Sequence, residues 1–288
     1  MDNKEALAKR KLAFSENARR QILHDQLRDS SLLSRSASTN IALRQLQRDQ
    51  CARDDFLKEI ETQEEQAPNS SLVEHGLRKL REIIVAAGSN ICRDPKFLDF
   101  ATRVYEKTVK YYCKHREAHK SYPSIRFYVD NLLQHAISNS LSQQMVACCA
   151  LYISHGEGNL TRCLTLLNSH MLNSDLYEPS KTLSLVYCIQ NQPPSVWFKV
   201  VSELPDSSLI RIFISALPAF QKMQQRTMKM ISVCYNQLSV SFLSVYWFHG
   251  MWKDLEHYVS QNWTIETLQN STKIVKFKAV GSKKPSTS

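Results

Sequence analysis

Hydrophobic positions are dense and helically spaced between residues 124 and 258, and thinner on either side. Prolines and glycines cut this central block into pieces of helix length. The pieces predict helices over residues 124–138, 142–154, 159–173, 180–191, 194–204, 206–217, 219–235, 239–249 and 251–260. The stops are Gly156, Gly158, Pro179, Pro193, Pro194, Pro205 and Pro218. A proline fits the first turn of a helix, where its missing N–H would be unpaired anyway, and does not fit the interior. Ser142, Ser195 and Asp206 stand near these starts as cap-like residues. Short connections between helices imply antiparallel neighbours. Residues 145–153 (MVACCALYI) and 209–217 (LIRIFISAL) are apolar around most of the circumference, the pattern of a helix buried on more than one side.

Two further helices precede this block. Ser71 and Glu74 have the S-x-x-E spacing of a capping box, and Leu72, Val73, Leu77, Leu80, Ile83 and Ile84 follow at helical spacing up to Gly88. Asp94 and Pro95 mark the next start, as N-cap and first helical residue, and the pattern runs to about His119. Phe97, Ala101, Val104, Thr108, Tyr111 and His115 form an apolar seam on this helix. Beside it, Arg103, Lys107, Lys110 and Lys114 form a basic ridge, with Tyr105 and Tyr112 placed to flank it.

Residues 1–66 carry only a thin apolar stripe. Leu7, Leu12, Phe14, Ile22, Leu23 and Leu27 recur at loose helical spacing, and a hydroxyl-rich run over residues 30–40 interrupts the pattern. A second helix is expected over residues 40–65, with Phe56, Leu57 and Ile60 among its apolar points. Two stretches read ambiguously. Residues 239–247 (SVSFLSVYW) are β-branched and aromatic, but no second strand is evident to pair with them, which favours helix. Residues 272–280 (TKIVKFKAV) read as a flexible basic tail in preference to a short strand.

The fold expected is all-α: an irregular helical stack, α-solenoid in kind and similar to HEAT or TPR arrays in general shape, preceded by an extended helical N-terminal arm. No fixed repeat period is found. The expected organisation is an arm over residues 1–66, a linker at 67–70, a helical domain over 71–265 and a basic tail over 266–288.

Composition adds exclusions. Six glycines are few for a β-rich fold with many tight turns, and neither a GxGxxG nor a GxxxxGK[ST] loop is present. No apolar leader opens the sequence, and no apolar run reaches the roughly 20 residues of a membrane span. The eight cysteines are then expected as reduced thiols in core positions, in nucleus or cytoplasm, with no membrane partner.

The formal charge of +10 is unevenly placed. Residues 49–66 hold seven acids against two bases, whereas residues 78–126 hold twelve bases against five acids. The last stretch, from residue 271, has five lysines and no acid. A localised excess of this kind suits an anionic partner.

Candidate chemistry is sparse. His115 and His119 stand at i, i+4 with Cys113 nearby, but Arg116 occupies the place of a zincin glutamate and the surrounding charge is positive. The Cys148–Cys149 pair lies in an apolar helix, where burial makes a thiol inert. The closest carboxylate pairs, Asp175 with Glu178 and Glu203 with Asp206, flank helix boundaries and serve as caps. No catalytic residue, metal ligand or cofactor site is therefore expected.

The sequence points to a non-enzymatic scaffold or adaptor within a multi-subunit complex, with one or more protein partners. Leu7, Phe14, Ile22, Leu23, Trp247 and Trp252 are the candidate partner interface, the last two drawn from an aromatic cluster over residues 246–263. The alternative is a nucleic-acid- or chromatin-associated factor. It would use the basic helix 94–120 and the basic tail, with Arg103, Lys107, Lys110 and Lys114 on phosphates and Tyr105 and Tyr112 against bases.

Overall fold

The computed structural model describes residues 46, 48–67, 71–86, 94–135 and 140–277. Of these, 74% are helical, in 12 α-helices with one small sheet, so the fold is an all-α helical stack. The chain divides into two compact units. The first comprises Met1–Tyr111 and Asp130–Ile137; the second comprises Tyr112–Val129 and Ser138–Ser288.

In the first unit, α1 (Gln50–Gln66) is capped by Asp49, whose carboxylate accepts from the Cys51 N–H at 2.9 Å. Its thin stripe of Phe56, Leu57 and Ile60 is buried, and the helix packs on α2 (Ser71–Ala86). The second half of the expected arm is thus a packed helix. Leu7, Phe14, Ile22 and Leu23, and the expected stop at Gly88, lie outside the described residues. Helix α2 buries Val73, Leu77, Leu80, Ile83 and Ile84, the apolar positions of its pattern. Helix α3 (Pro95–Lys114) starts as its sequence dictates. Asp94 Oδ1 accepts from the Lys96 N–H at 3.1 Å, and Pro95 is the first helical residue.

Helix α3 ends at Lys114, short of His119. Arg116 takes a left-handed conformation (φ 59°), the Glu117 N–H donates to the Tyr112 carbonyl at 2.8 Å and the Arg116 N–H to the Cys113 carbonyl at 3.0 Å. This pair of bonds is a Schellman ending, formed here with arginine where glycine is usual. The chain re-enters helix at α4 (Ala118–Phe127), which contains Pro123 and continues as a π-helical turn over Tyr128–Leu132. His115 and His119 are therefore separated by a chain reversal and do not share a helix face.

In the second unit, α5 (Ser140–His155) is the hub. Met145, Val146, Ala147, Cys148, Cys149, Ala150 and Leu151 are all buried. Helix α5 packs against α4, α6 (Leu160–His170), α7 (Tyr177–Ile189) and α9 (Leu209–Ala216). Its all-round apolar sequence is what allows four neighbours. Helix α8 (Pro194–Glu203) and α10 (Pro218–Cys234) each begin on a proline. The start expected at Asp206 falls at Leu209 instead. Ser208 caps the Arg211 N–H there, and Asp206 forms an ion pair with Arg211 at 2.7 Å. Ser142 is no cap either; it is buried within α5 against the Tyr128 hydroxyl at 2.9 Å.

The carboxy-terminal part departs most from expectation. Strand β1 (Gln237–Ser239) is followed by a single helical turn α11 (Val240–Phe242), a π-helical turn over Leu243–Trp247 and helix α12 (Leu255–Asn262). Strands β2 (Thr264–Thr267) and β3 (Lys273–Lys276) complete an antiparallel sheet of order β1-β3-β2. Val275 pairs with both Leu238 and Ile265 and is fully buried. Residues 273–276 are thus the central strand of a sheet and not part of a free tail.

Candidate functional site

The basic ridge of α3 is largely occupied within its own unit. Arg103 donates to Asp54 at 2.7 Å and pairs with Asp99 at 3.2 Å. Lys107 sits between Glu64 at 2.8 Å and Glu61 at 3.9 Å. Lys110 pairs with Glu106, one turn away, at 2.6 Å. Acids of α1 are therefore the counter-charge of Arg103 and Lys107, while that of Lys110 lies on α3 itself. Arg53 adds a second link: its guanidinium lies over the rings of Phe97 and Phe100, at 5.1 and 5.7 Å from their centroids, and donates to the Leu46 carbonyl. Lys114, at the end of α3, lies in the second unit. Tyr105 and Tyr112 are 1% and 6% exposed, which leaves no ring face for a base; these two are corrected from stacking candidates to core residues.

A buried polar cluster lies in the second unit, around His155. The Trp197 indole N–H donates to His155 Nε2 at 3.1 Å. Indole nitrogen only donates, so Nε2 must accept and the ring proton sits on Nδ1, 3.0 Å from the Leu151 carbonyl and 2.8 Å from Ser154 Oγ. Ser154 Oγ is also 2.9 Å from Ser184 Oγ, which donates to the Ser180 carbonyl. Burial pushes the His155 imidazole down to about 3 and raises the neighbouring Cys163 thiol. Sequence reading missed this group because His155 and Trp197 are 42 residues apart. Buried donors and acceptors satisfied in this way fix a core; the ring and hydroxyls are closed to solvent and present nothing to a substrate.

From this cluster a chain of ring contacts crosses the second unit. Trp197 meets Phe198 edge-on at 5.1 Å, and Phe198 meets Phe248 at 5.0 Å. Phe248 meets Trp252 at 4.9 Å, and Trp252 meets Tyr258 at 4.7 Å. Tyr258 and Trp263 then lead to Phe277, the residue after β3. Trp252, expected at an interface, is thus a half-buried member of the internal chain.

The other half of the aromatic cluster faces outward. Phe242, Val245 and Tyr246 are 40%, 57% and 62% exposed on α11 and the π-helical turn. Phe242 and Tyr246 pack on each other at 4.8 Å. Trp247 is half-buried and meets Tyr235 edge-on at 6.2 Å. Tyr235 directly follows α10, whose last turn exposes Val233. Wide helical turns of the π type recur at functional positions. His249, immediately beyond, holds a left-handed conformation (φ 47°) that costs energy for a non-glycine residue. Exposed rings on the π-helical turn, continuous with a half-buried tryptophan, form the candidate site.

The chain matches no known protein-family model, no curated protein and no solved structure. Among the described residues, no group of three or more His, Cys, Asp or Glu is placed to hold a metal ion. No described helix is long and apolar enough to cross a membrane.

Proposed function

We propose that this protein is a non-enzymatic helical scaffold or adaptor, a subunit of a larger assembly, which engages a protein partner through Phe242, Val245, Tyr246 and the adjoining Trp247. The carrying observation is the exposed aromatic surface on the π-helical turn. Burying large rings beside a half-buried tryptophan is how a small interface acquires an energetic centre. The thiol-rich interior suits a reducing compartment, nucleus or cytoplasm. The apolar stripe of Leu7, Phe14, Ile22 and Leu23 remains a second partner-binding element in this reading. The nucleic-acid alternative is the weaker, because Arg103, Lys107 and Lys110 each already hold a carboxylate.

The test compares the full chain with a Phe242→Ser/Tyr246→Ser variant. Proteins that co-purify with the wild type are expected to be lost from the variant by about tenfold or more, at unchanged melting temperature. Recovery of the same proteins at wild-type yield would overturn the reading.

A further inference from the structure

The outer face of α10 leads toward the aromatic surface through Tyr235, and its exposed cations lack a carboxylate partner among the described residues. Between Asp206 and Asp254 the sequence has no acidic residue at all, while Lys222, Arg226 and Lys229 all lie on α10. Arg226 is used internally. Its guanidinium donates to the Val186 and Tyr187 carbonyls in the last turn of α7 at 3.3 and 3.0 Å, which ties α10 to that helix end. Lys222 and Lys229 are exposed and have no carboxylate partner among the described residues. By contrast, Lys181, Lys199, Lys273 and Lys276 each hold a glutamate.

Spacing places the two lysines on one face with exposed Val233, at i, i+7 and i+11. At the helical rise, this row extends over about 16 Å. Two residues beyond Val233, Tyr235 leaves the helix and meets Trp247, a neighbour of the exposed rings, at 6.2 Å. The surface therefore passes from two unneutralised cations to an apolar and aromatic patch within three helical turns. Two lysines are too few to track a nucleic-acid backbone with appreciable affinity, and Val233, Val245 and Phe242 offer nothing to a phosphate. Acidic side chains followed by apolar ones would satisfy both ends.

We infer that the α10 face and the aromatic turn together receive an acidic amphipathic segment of a partner protein. Its carboxylates lie over Lys222 and Lys229, and its apolar side chains cover Val233, Phe242 and Tyr246. This inference rests on the interface reading above and adds the chemistry of the partner.

The experiment uses the full chain and fluorescence anisotropy with three labelled probes. The first is a helix-length peptide with glutamates on its first turns and leucine and phenylalanine on the following ones. The second has the same composition in permuted order, and the third is a single-stranded DNA. The ordered peptide is expected to bind about tenfold or more tightly than the permuted one, and to weaken with added salt. Lys222→Glu/Lys229→Glu should weaken it by about tenfold. A peptide with lysines in place of the glutamates should recover binding to that reversed variant. Loss of partner binding in Phe242→Ser/Tyr246→Ser, with no effect of the lysine reversals on any peptide, overturns the acidic partner and leaves the interface standing. Wild-type binding in both variants overturns both. Tighter binding of the DNA than of the ordered peptide, lost on lysine reversal, assigns the face to nucleic acid and also overturns the inference.

Discussion

Helix α3 in the first unit and α10 in the second each carry a row of cations at helical spacing, and their surroundings treat those rows in opposite ways. On α3, the row meets acids: Arg103 meets Asp54, Lys107 meets Glu61 and Glu64, and Lys110 meets Glu106. On α10, Arg226 is spent on backbone carbonyls, while Lys222 and Lys229 meet no acid among the described residues. The aromatic residues diverge similarly. Tyr105 is sealed in the core beside the α3 row, whereas Tyr246 and Phe242 stand open near the end of α10. A basic row alone therefore says little about binding. What matters is whether the fold supplies its counter-charge, and on α3 acids of α1 and Glu106 of α3 itself do so.

The largest effect is expected where the second unit is most closed. Trp197 is fully buried, meets Phe198 and Phe220 edge-on and holds His155. Trp197→Ala removes that volume and leaves Nε2 of His155 without its donor. It should cost about 3–5 kcal/mol in urea unfolding. A loss below about 1 kcal/mol would show that the ring chain does not organise the core.

Next in size is the pH dependence that follows from the same contact. The His155 imidazole is neutral in the folded chain, with its folded value depressed to about 3 from 6.5. The unfolded chain takes up a proton first as the pH falls. The stabilisation is thus complete above about pH 6.5 and is lost progressively between there and about pH 3. At pH 4 the cost should be about 3 kcal/mol, and His155→Gln should flatten that part of the profile. An unchanged slope in the variant would mean other groups set the acid sensitivity.

A smaller effect separates the two cationic rows directly. Lys107→Glu sets a third carboxylate between Glu61 and Glu64, and should destabilise by about 1–2 kcal/mol at low salt and less at high salt. Lys229→Glu, with no ion-pair partner among the described residues, should change stability by less than about 0.5 kcal/mol. Equal losses at the two positions would erase the distinction between the rows.

Local chemistry was legible in the sequence, and distant pairing was not. Pro95, Pro194 and Pro218 open helices because the missing N–H costs least there, and Asp94 caps because it precedes the first of them. The apolar girth of α5 was readable as a hub for the same local reason. The end of α3 was not, since Arg116 holds a conformation that its side chain does not announce. The central strand β3 was hidden because one of its partners, Gln237–Ser239, lies far back in the chain. The opposed charges of residues 49–66 and 78–126 were both visible. That acids of the first meet Arg103 and Lys107 of the second depends on α1 and α3 being folded together, which no spacing reveals. The aromatic cluster was visible as a density of rings, but which rings turn inward was set by the π-helical geometry of Leu243–Trp247.

The smallest stability effect is expected at the candidate site, and its smallness is informative. Val245 is 57% exposed, and its methyl groups contribute little to the core. Val245→Ser should therefore change unfolding free energy by less than about 0.5 kcal/mol. A side chain retained for packing would cost more than this on removal, as Phe248, fully buried three residues later, should by about 3–5 kcal/mol on truncation to alanine. If Val245→Ser leaves the melting temperature unchanged yet reduces partner recovery, the exposed half of the aromatic cluster acts outside the fold. If it destabilises as Phe248→Ala does, the turn is closed in solution, and the outward face of the second unit has to be sought on α10 alone.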